Sequence, residues 1–232
     1  MSVDDRSKRV RVGLAFALLG MQSIVGLSQE VAAIDVQDEP RHHLVFQNES
    51  IKIFDVNILV GDVTEYHRHR RANVAVFMND ADFAAQGLDE AQSPARSVKV
   101  GAMGLARVSG DGYVHRVANT GNTALHIIDI EFLQPTGKAT AAQSDTYKAA
   151  GENEYYRAYI LTLAPGQSSL PLKIGPGVRV ILTDSRLDQI RDGGVATVVG
   201  GAAHPWQWRD PGSYVLKNVS SSPTTVIELE VK

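Results

Sequence analysis

The histidines are the most informative residues in this chain. His67 and His69 form an H-x-H unit that follows Gly61 by six positions. In an extended backbone residues i and i+2 point to the same face, so both imidazoles reach a common point. His115 lies in the pattern G-x-x-H-x-x-x-N, from Gly112 to Asn119, at the entry to another β-rich run. Three neutral imidazoles converging on one divalent ion leave positions open for water or substrate. Cysteine is absent, which excludes thiolate ligands, disulfides, a lipoprotein anchor and a cysteine nucleophile, so any metal takes nitrogen or oxygen ligands.

Other residues near this constellation have blander readings. His42 and His43, in "EPRHH", precede the first strand run and read as an exposed, flexible pair. His126 sits inside a strand run and is assigned to packing, and Asn119 reads as a turn residue bonded to its own backbone. Arg68, Arg70 and Arg71 crowd the H-x-H segment, either as a solvated rim or as selection for an anionic substrate. His204, Trp206 and Trp208, in "AHPWQW", line a pocket or pack a core.

The elements that must position these side chains are strands. After residue 34 the chain consists of short β-rich runs broken by Gly, Pro, Asn and Asp, the texture of an all-β sandwich or barrel. Only 81–91 and 185–191 are expected to carry short helices. An internal repeat sets the domain count: "VNILVGD" before and at Gly61 matches "YILTLAPGQ" around Gly166, and "VAVFMND" matches "VRVILTD". The closing segments "DGYVHRVANTGNTALHIIDIEF" and "DPGSYVLKNVSSSPTTVIELEV" match as well. Two barrels of one design are therefore expected at 38–135 and 153–232, joined by a polar linker at 136–152. In the second copy the H-x-H positions fall on Leu172 and Ile174 and the third histidine becomes Tyr214 or Val215, so that barrel is expected to be structural or dimerising.

The N-terminus reads as a cleaved signal peptide covering 1–33: Arg6, Lys8, Arg9 and Arg11 precede an apolar stretch from Val12 to Leu27, with small residues at Ala32 and Ala33. The rival reading is an uncleaved membrane anchor. No twin-arginine pair is present, so general secretion to the periplasm or the medium is expected, with no stable membrane association after cleavage. A formal net charge of −3 in 232 residues, without a basic run, argues against a nucleic-acid partner.

These residues resemble the two motifs of the cupin superfamily. Gly61, His67 and His69 fit G-x5-H-x-H-x3,4-E-x6-G, and Gly104, Gly112, His115 and Asn119 fit G-x5-P-x-G-x2-H-x3-N, with Gly110 at the proline position. The resemblance implies two tandem, jelly-roll-like antiparallel β-barrels, the first holding one divalent metal ion through His67, His69 and His115. Asn73 stands where the family places a glutamate ligand, and Asp80 replaces the closing glycine. The Asn73 carbonyl, a water, or Glu65 is then the candidate fourth ligand or substrate contact. The resemblance further implies an oxygenase-like enzyme of the quercetin or cysteine dioxygenase type acting on a small-molecule substrate, with Fe(II) as first choice and Mn, Ni, Zn or Cu allowed. Its rivals are a metal-dependent isomerase or lyase, a non-catalytic periplasmic small-molecule or metal-binding module, and a purely structural cupin. Exposed barrel edges also allow a homodimer.

Overall fold

Strand alternation here serves two interiors at once. The structure, a computed structural model, describes residues 32–134 and 144–232. The first half contains β1 (Ile34–Asp35), β2 (His42–Gln47), β3 (Ile51–Ile58), β4 (His67–His69), β5 (Asn73–Phe77), β6 (Ala81–Gly87), β7 (Arg96–Val98), β8 (Met103–Ala106), β9 (Tyr113–Asn119) and β10 (Leu125–Phe132). They form two five-stranded sheets, β1-β4-β9-β6-β7 and β2-β3-β10-β5-β8. The second half contains β11 (Lys148–Glu152), β12 (Tyr156–Leu163), β13 (Leu172–Ile174), β14 (Gly177–Ile181), β15 (Arg186–Arg191), β16 (Thr197–Gly200), β17 (Trp206–Arg209), β18 (Gly212–Asn218) and β19 (Thr224–Val231). Its sheets are β11-β12-β19-β14-β17 and β13-β18-β15-β16. Apart from the short parallel pair β1–β4, named strand pairs are antiparallel, giving two tandem jelly-roll-like β-barrels.

The described residues fall within one compact unit, Val31–Lys232. Three apolar clusters hold it together. Phe54, Val56, Ile58, Phe83 and Leu125 fill part of the first barrel, and Leu161, Leu163, Leu172, Leu187 and Leu216 fill the second. The third cluster lies between the barrels: Ile51, Ile53, Val74, Ile128 and Ile130 pack with Val178, Val180, Ile227 and Leu229. Phe46 adds a stacking contact to Trp208, with ring centroids 5.9 Å apart, and lies 5.6 Å from Trp206, so both tryptophans pack a core. Because side chains alternate across a strand, β10 turns Ile128 and Ile130, and β19 turns Ile227 and Leu229, to this shared layer. They turn Asp129, Glu131, Glu228 and Glu230 inward, each into its own barrel.

The repeat extends to its turns. Gly61 and Gly166 adopt φ of 76° and 75°, a left-handed conformation that favours glycine. Asn119 donates to the carbonyls of Ile58 and Thr123 and accepts from the Gly121 amide. Asn218 does the same with Leu163, Ser222 and Ser220.

Three sequence expectations need correction. The short helices expected at 81–91 and 185–191 are strands β6 and β15, because pairing with β9 and β18 and burial of Ala81, Phe83 and Leu187 at period two outweigh local helical preference. Strand β11 occupies the end of the expected 136–152 linker, where Lys148–Glu152 pairs with β12. The sheets of the first barrel also begin at Ile34, ahead of residue 38. The expected signal peptide, except Ala32 and Ala33, and residues 136–143 of the expected linker lie outside the described residues.

Candidate metal centre

Pairing of β4 with β9 assembles the centre. His67 lies directly opposite His115, and His69 opposite Tyr113. A Cβ added to Gly112 would meet the His69 carbonyl oxygen at 2.7 Å, which is why the residue that brings β9 against β4 is glycine. His67 and His69 share the inward face at 0% and 2% exposure. Ring centroids are 5.1 Å apart for His67–His69, 4.5 Å for His67–His115 and 5.3 Å for His69–His115. The three histidines singled out by spacing therefore meet inside one barrel.

A fourth imidazole joins them. His42 is buried, its ring 4.5 Å from that of His67 and 6.0 Å from that of His69. Ligand-capable atoms of His42, His67 and His69 lie within 4.8 Å of one another, and His115 falls outside that trio. The expectation of an exposed His42–His43 pair thus fails for its first member, while His43 is exposed. The cause is Glu39, a buried carboxylate 2.6 Å from His42 Nδ1 that draws the ring inward at the start of β2. The sequence signal was "E-x-x-H", a carboxylate three positions before a histidine. His126 is half-buried and bonded to Asp55 away from the cluster.

Three of the four rings are oriented through Nδ1. His42 is held by Glu39, His67 donates to the Glu65 carbonyl at 2.9 Å, and His69 lies 3.1 Å from Glu131 Oε1. Carboxylate and carbonyl partners of this kind fix tautomer and direction, leaving Nε2 for an ion. Asn73 faces inward from β5 and donates through Nδ2 to both oxygens of Asp129, at 2.8 and 3.0 Å. Glu65 contributes only backbone: its side chain is exposed, because regular strand geometry starts at His67, so it is neither ligand nor base. Asp129 and Glu131 were not anticipated from the sequence.

Three buried polar atoms of this centre find no partner among the described residues: His67 Nε2, His115 Nε2 and Asn73 Oδ1. Burial pushes His67 down to about 3 and His115 down to about 2, helped by the neighbouring rings, so both are neutral near pH 7. Burial also opposes protonation of His69, but Glu131 and Asp129 outweigh it and raise this ring. Glu39 would be raised by burial; hydrogen bonds from His42 and from the Arg41 and Glu65 amides hold it at about 2. Asp129 is raised, chiefly by burial. Three buried carboxylates thus face imidazoles of which two carry no proton. Glu39 is paired with Arg41 at 3.3 Å and Glu131 with the raised His69 ring, and a divalent cation would be held at the unpartnered Nε2 atoms of His67 and His115. A donor set of imidazole nitrogens and an amide oxygen suits a borderline transition metal. The residues fit the ion.

The ring shifts are directly observable. In metal-free protein at pH 5, His67 and His115 are both expected to remain largely unprotonated. Imidazole NMR resonances of both should stay in the neutral form from pH 7 to pH 5. The rings alone would make stability fall with pH below 6.5, since the unfolded chain binds their protons first. Asp129, raised in the fold, acts in the opposite direction, so ring signals are the cleaner readout. Titration of either ring near pH 6 would refute the burial argument.

Space for a ligand adjoins the cluster. A cavity of about 70 Å³ lies among His42, His67, His69, His115, Asn73 and Asp129. It shares Asn73, Ala75, His115, Val117 and Ile127 with a larger cavity of about 320 Å³, so the two adjoin across a common wall.

The second barrel keeps the frame without the ligands. Leu172 lies opposite Tyr214, as His67 lies opposite His115. Glu228 and Glu230 occupy on β19 the places of Asp129 and Glu131 on β10. Glu228 is neutralised by arginines: Arg179 and Arg209, fully buried, both bind it, and Arg179 also donates to Gln189, while Glu230 accepts from the Gly175 amide.

No protein-family profile matches the chain, and no curated protein matches it in sequence. Solved structures match in fold. AerE from Microcystis aeruginosa superposes with TM-score 0.57 at 10% identity, over 84% of this chain and 98% of that one. Procruciferin, the 11S globulin of Brassica napus, gives 0.57 at 10% identity, over 79% and 77%. Oxalate decarboxylase from Bacillus subtilis gives 0.55 at 10% identity, over 78% and 68%.

Proposed function

The chain has the cupin fold, two barrels in tandem, and on that basis we propose that its first barrel is a metal-dependent, oxygenase-like catalyst for a small organic substrate. The observation that carries this reading is the inward set of unpartnered atoms, His67 Nε2, His115 Nε2 and Asn73 Oδ1, backed by buried carboxylates and opening into a cavity. His67, His69 and His115, with His42 as a fourth donor, hold the ion in this proposal, and Asn73 Oδ1 faces it. Bound there, a divalent metal with positions to spare supplies a Lewis acid and a one-electron couple at which an organic substrate and O₂ can meet.

The protein's own groups prepare that encounter. Glu39, Glu131 and the Glu65 carbonyl keep the rings aimed, so little reorganisation accompanies binding. The walls of the larger cavity are mostly apolar, which excludes water from a bound substrate. Tyr113, 4.6 Å from the His115 ring, has its pKa raised chiefly by burial and keeps its proton on Oη as a donor at the wall. Among the described residues no carboxylate lines the larger cavity, so a reaction needing a carboxylate base on that side has no support. Export to the periplasm or medium belongs to the same proposal, supported by the basic and then apolar residues 6–27.

One observation favours a second reading, a non-catalytic binding module. Four imidazoles saturate a four-coordinate ion and leave no position for chemistry. Metal analysis of the purified protein, followed by O₂ uptake with a panel of phenols and thiols, separates the two. About one iron per chain with substrate-dependent O₂ uptake is the expected result. Zinc at full occupancy with no uptake would establish the binding module instead.

A further inference from the structure

We propose that the larger cavity selects its ligand as an anion: an organic acid with a ring-sized apolar body whose carboxylate pairs with Arg96 at the mouth while the body reaches toward His115 and Asn73. This deepens the metal-centre reading and rests on it for the fate of the bound molecule, but not for the recognition itself.

Shape comes first. The cavity measures about 320 Å³, the lower end of the ~300–1,000 Å³ range of ligand sites. Phe77, Phe83, Leu105, Val117 and Ile127 supply apolar walls, and Ala75, Ala85 and Gly104 leave the room between them. A flat, single-ring body suits such a slot better than a sugar, whose hydroxyls would lose water without gaining partners. Tyr113 and Asn73 provide the few polar atoms near the metal end.

Charge gives the selection its sign. Two guanidiniums, Arg96 and Arg107, line the cavity, and no described carboxylate does. Arg107 is already paired with Glu154 at 3.4 Å. Arg96 has no carboxylate partner among the described residues. Its Cζ sits 4.5 Å from the centroid of Phe83, a wall residue, which holds the side chain at the mouth without using its hydrogen-bond donors. A planar guanidinium with free donors beside an apolar slot matches a carboxylate in the two-point manner that lysine cannot reproduce. Strand β7, which carries Arg96, is pinned to β6 by the Phe83↔Arg96 register, so the charge belongs to the barrel and not to a loose loop.

The test is equilibrium binding of benzoate and cinnamate against their neutral amides, by calorimetry, on the full chain with and without metal. In metal-free wild type each acid is expected to bind at least about 10-fold tighter than its amide, the worth of one charge-assisted contact. Arg96→Gln should reduce that preference to less than about 3-fold, and Arg96→Lys should retain part of it. Three results would overturn the proposal: no acid binds at millimolar concentration, the preference survives Arg96→Gln, or it exists only when metal is present. The last would mean that the ion itself holds the carboxylate. Absence of O₂ uptake would sink the oxygenase reading and leave this result standing, so the two failures are distinguishable.

Discussion

His67→Ala protein is expected to purify with less than a tenth of an ion per chain where wild type carries about one, because the substitution removes the ring at the centre of the cluster. The loss in affinity should exceed the ~10–100-fold typical of outer partners. Glu131→Gln tests that outer range: it keeps the shape and a hydrogen bond to His69 but removes a buried negative charge, and about 10–100-fold weaker metal binding is expected. Metal at about 1,000 times its Kd should stabilise wild type by about 4 kcal/mol, and this increment should vanish in His67→Ala. His43→Ala is the control, since that ring is exposed and outside the cluster. Metal content by mass spectrometry and melting curves with and without chelator read all three. Full metal occupancy in His67→Ala would place the ion elsewhere.

The second large effect belongs to the second barrel, which lacks the histidine cluster. Glu228→Gln leaves Arg179 and Arg209 buried without their shared carboxylate, and breaking a buried pair from one side costs about 3–5 kcal/mol. For a chain of this size that corresponds to a melting point lower by about 10 °C. Metal content should be unchanged, because the network lies in the other barrel. Replacing Arg179, Arg209 and Glu228 together by apolar residues of similar volume should recover much of the loss, since an apolar interior needs no counterions. A melting point within about 2 °C of wild type for Glu228→Gln would show that water reaches the guanidiniums.

Most of the strands and their repetition as two barrels were legible because turn residues bracket them and the chain repeats itself. His67, His69 and His115 were legible because Gly61, Gly112 and Asn119 fix their spacing to turns the fold requires. His42 was hidden by distance: it precedes the motif, and only the pairing of β2 with β3 and the pull of Glu39 carry it in. Asp129 and Glu131 were hidden by convention. In "IIDIEF" an alternating strand suggests isoleucines facing the barrel and carboxylates facing water. The assignment inverts because the outer face of that sheet is covered by the other barrel. The helices expected at 81–91 and 185–191 failed for a related reason, since period-two burial there depends on partners far away in the chain.

Strand β10 is a party wall. One side bears Ile128 and Ile130, on which the second barrel leans, and the other bears the carboxylates that steer Asn73 and His69. A change of volume on the Val178, Val180 or Ile227 side therefore has a short mechanical route to the imidazoles, through the thickness of one sheet. The half that lacks the histidines serves as the anvil against which the half that carries them keeps its shape.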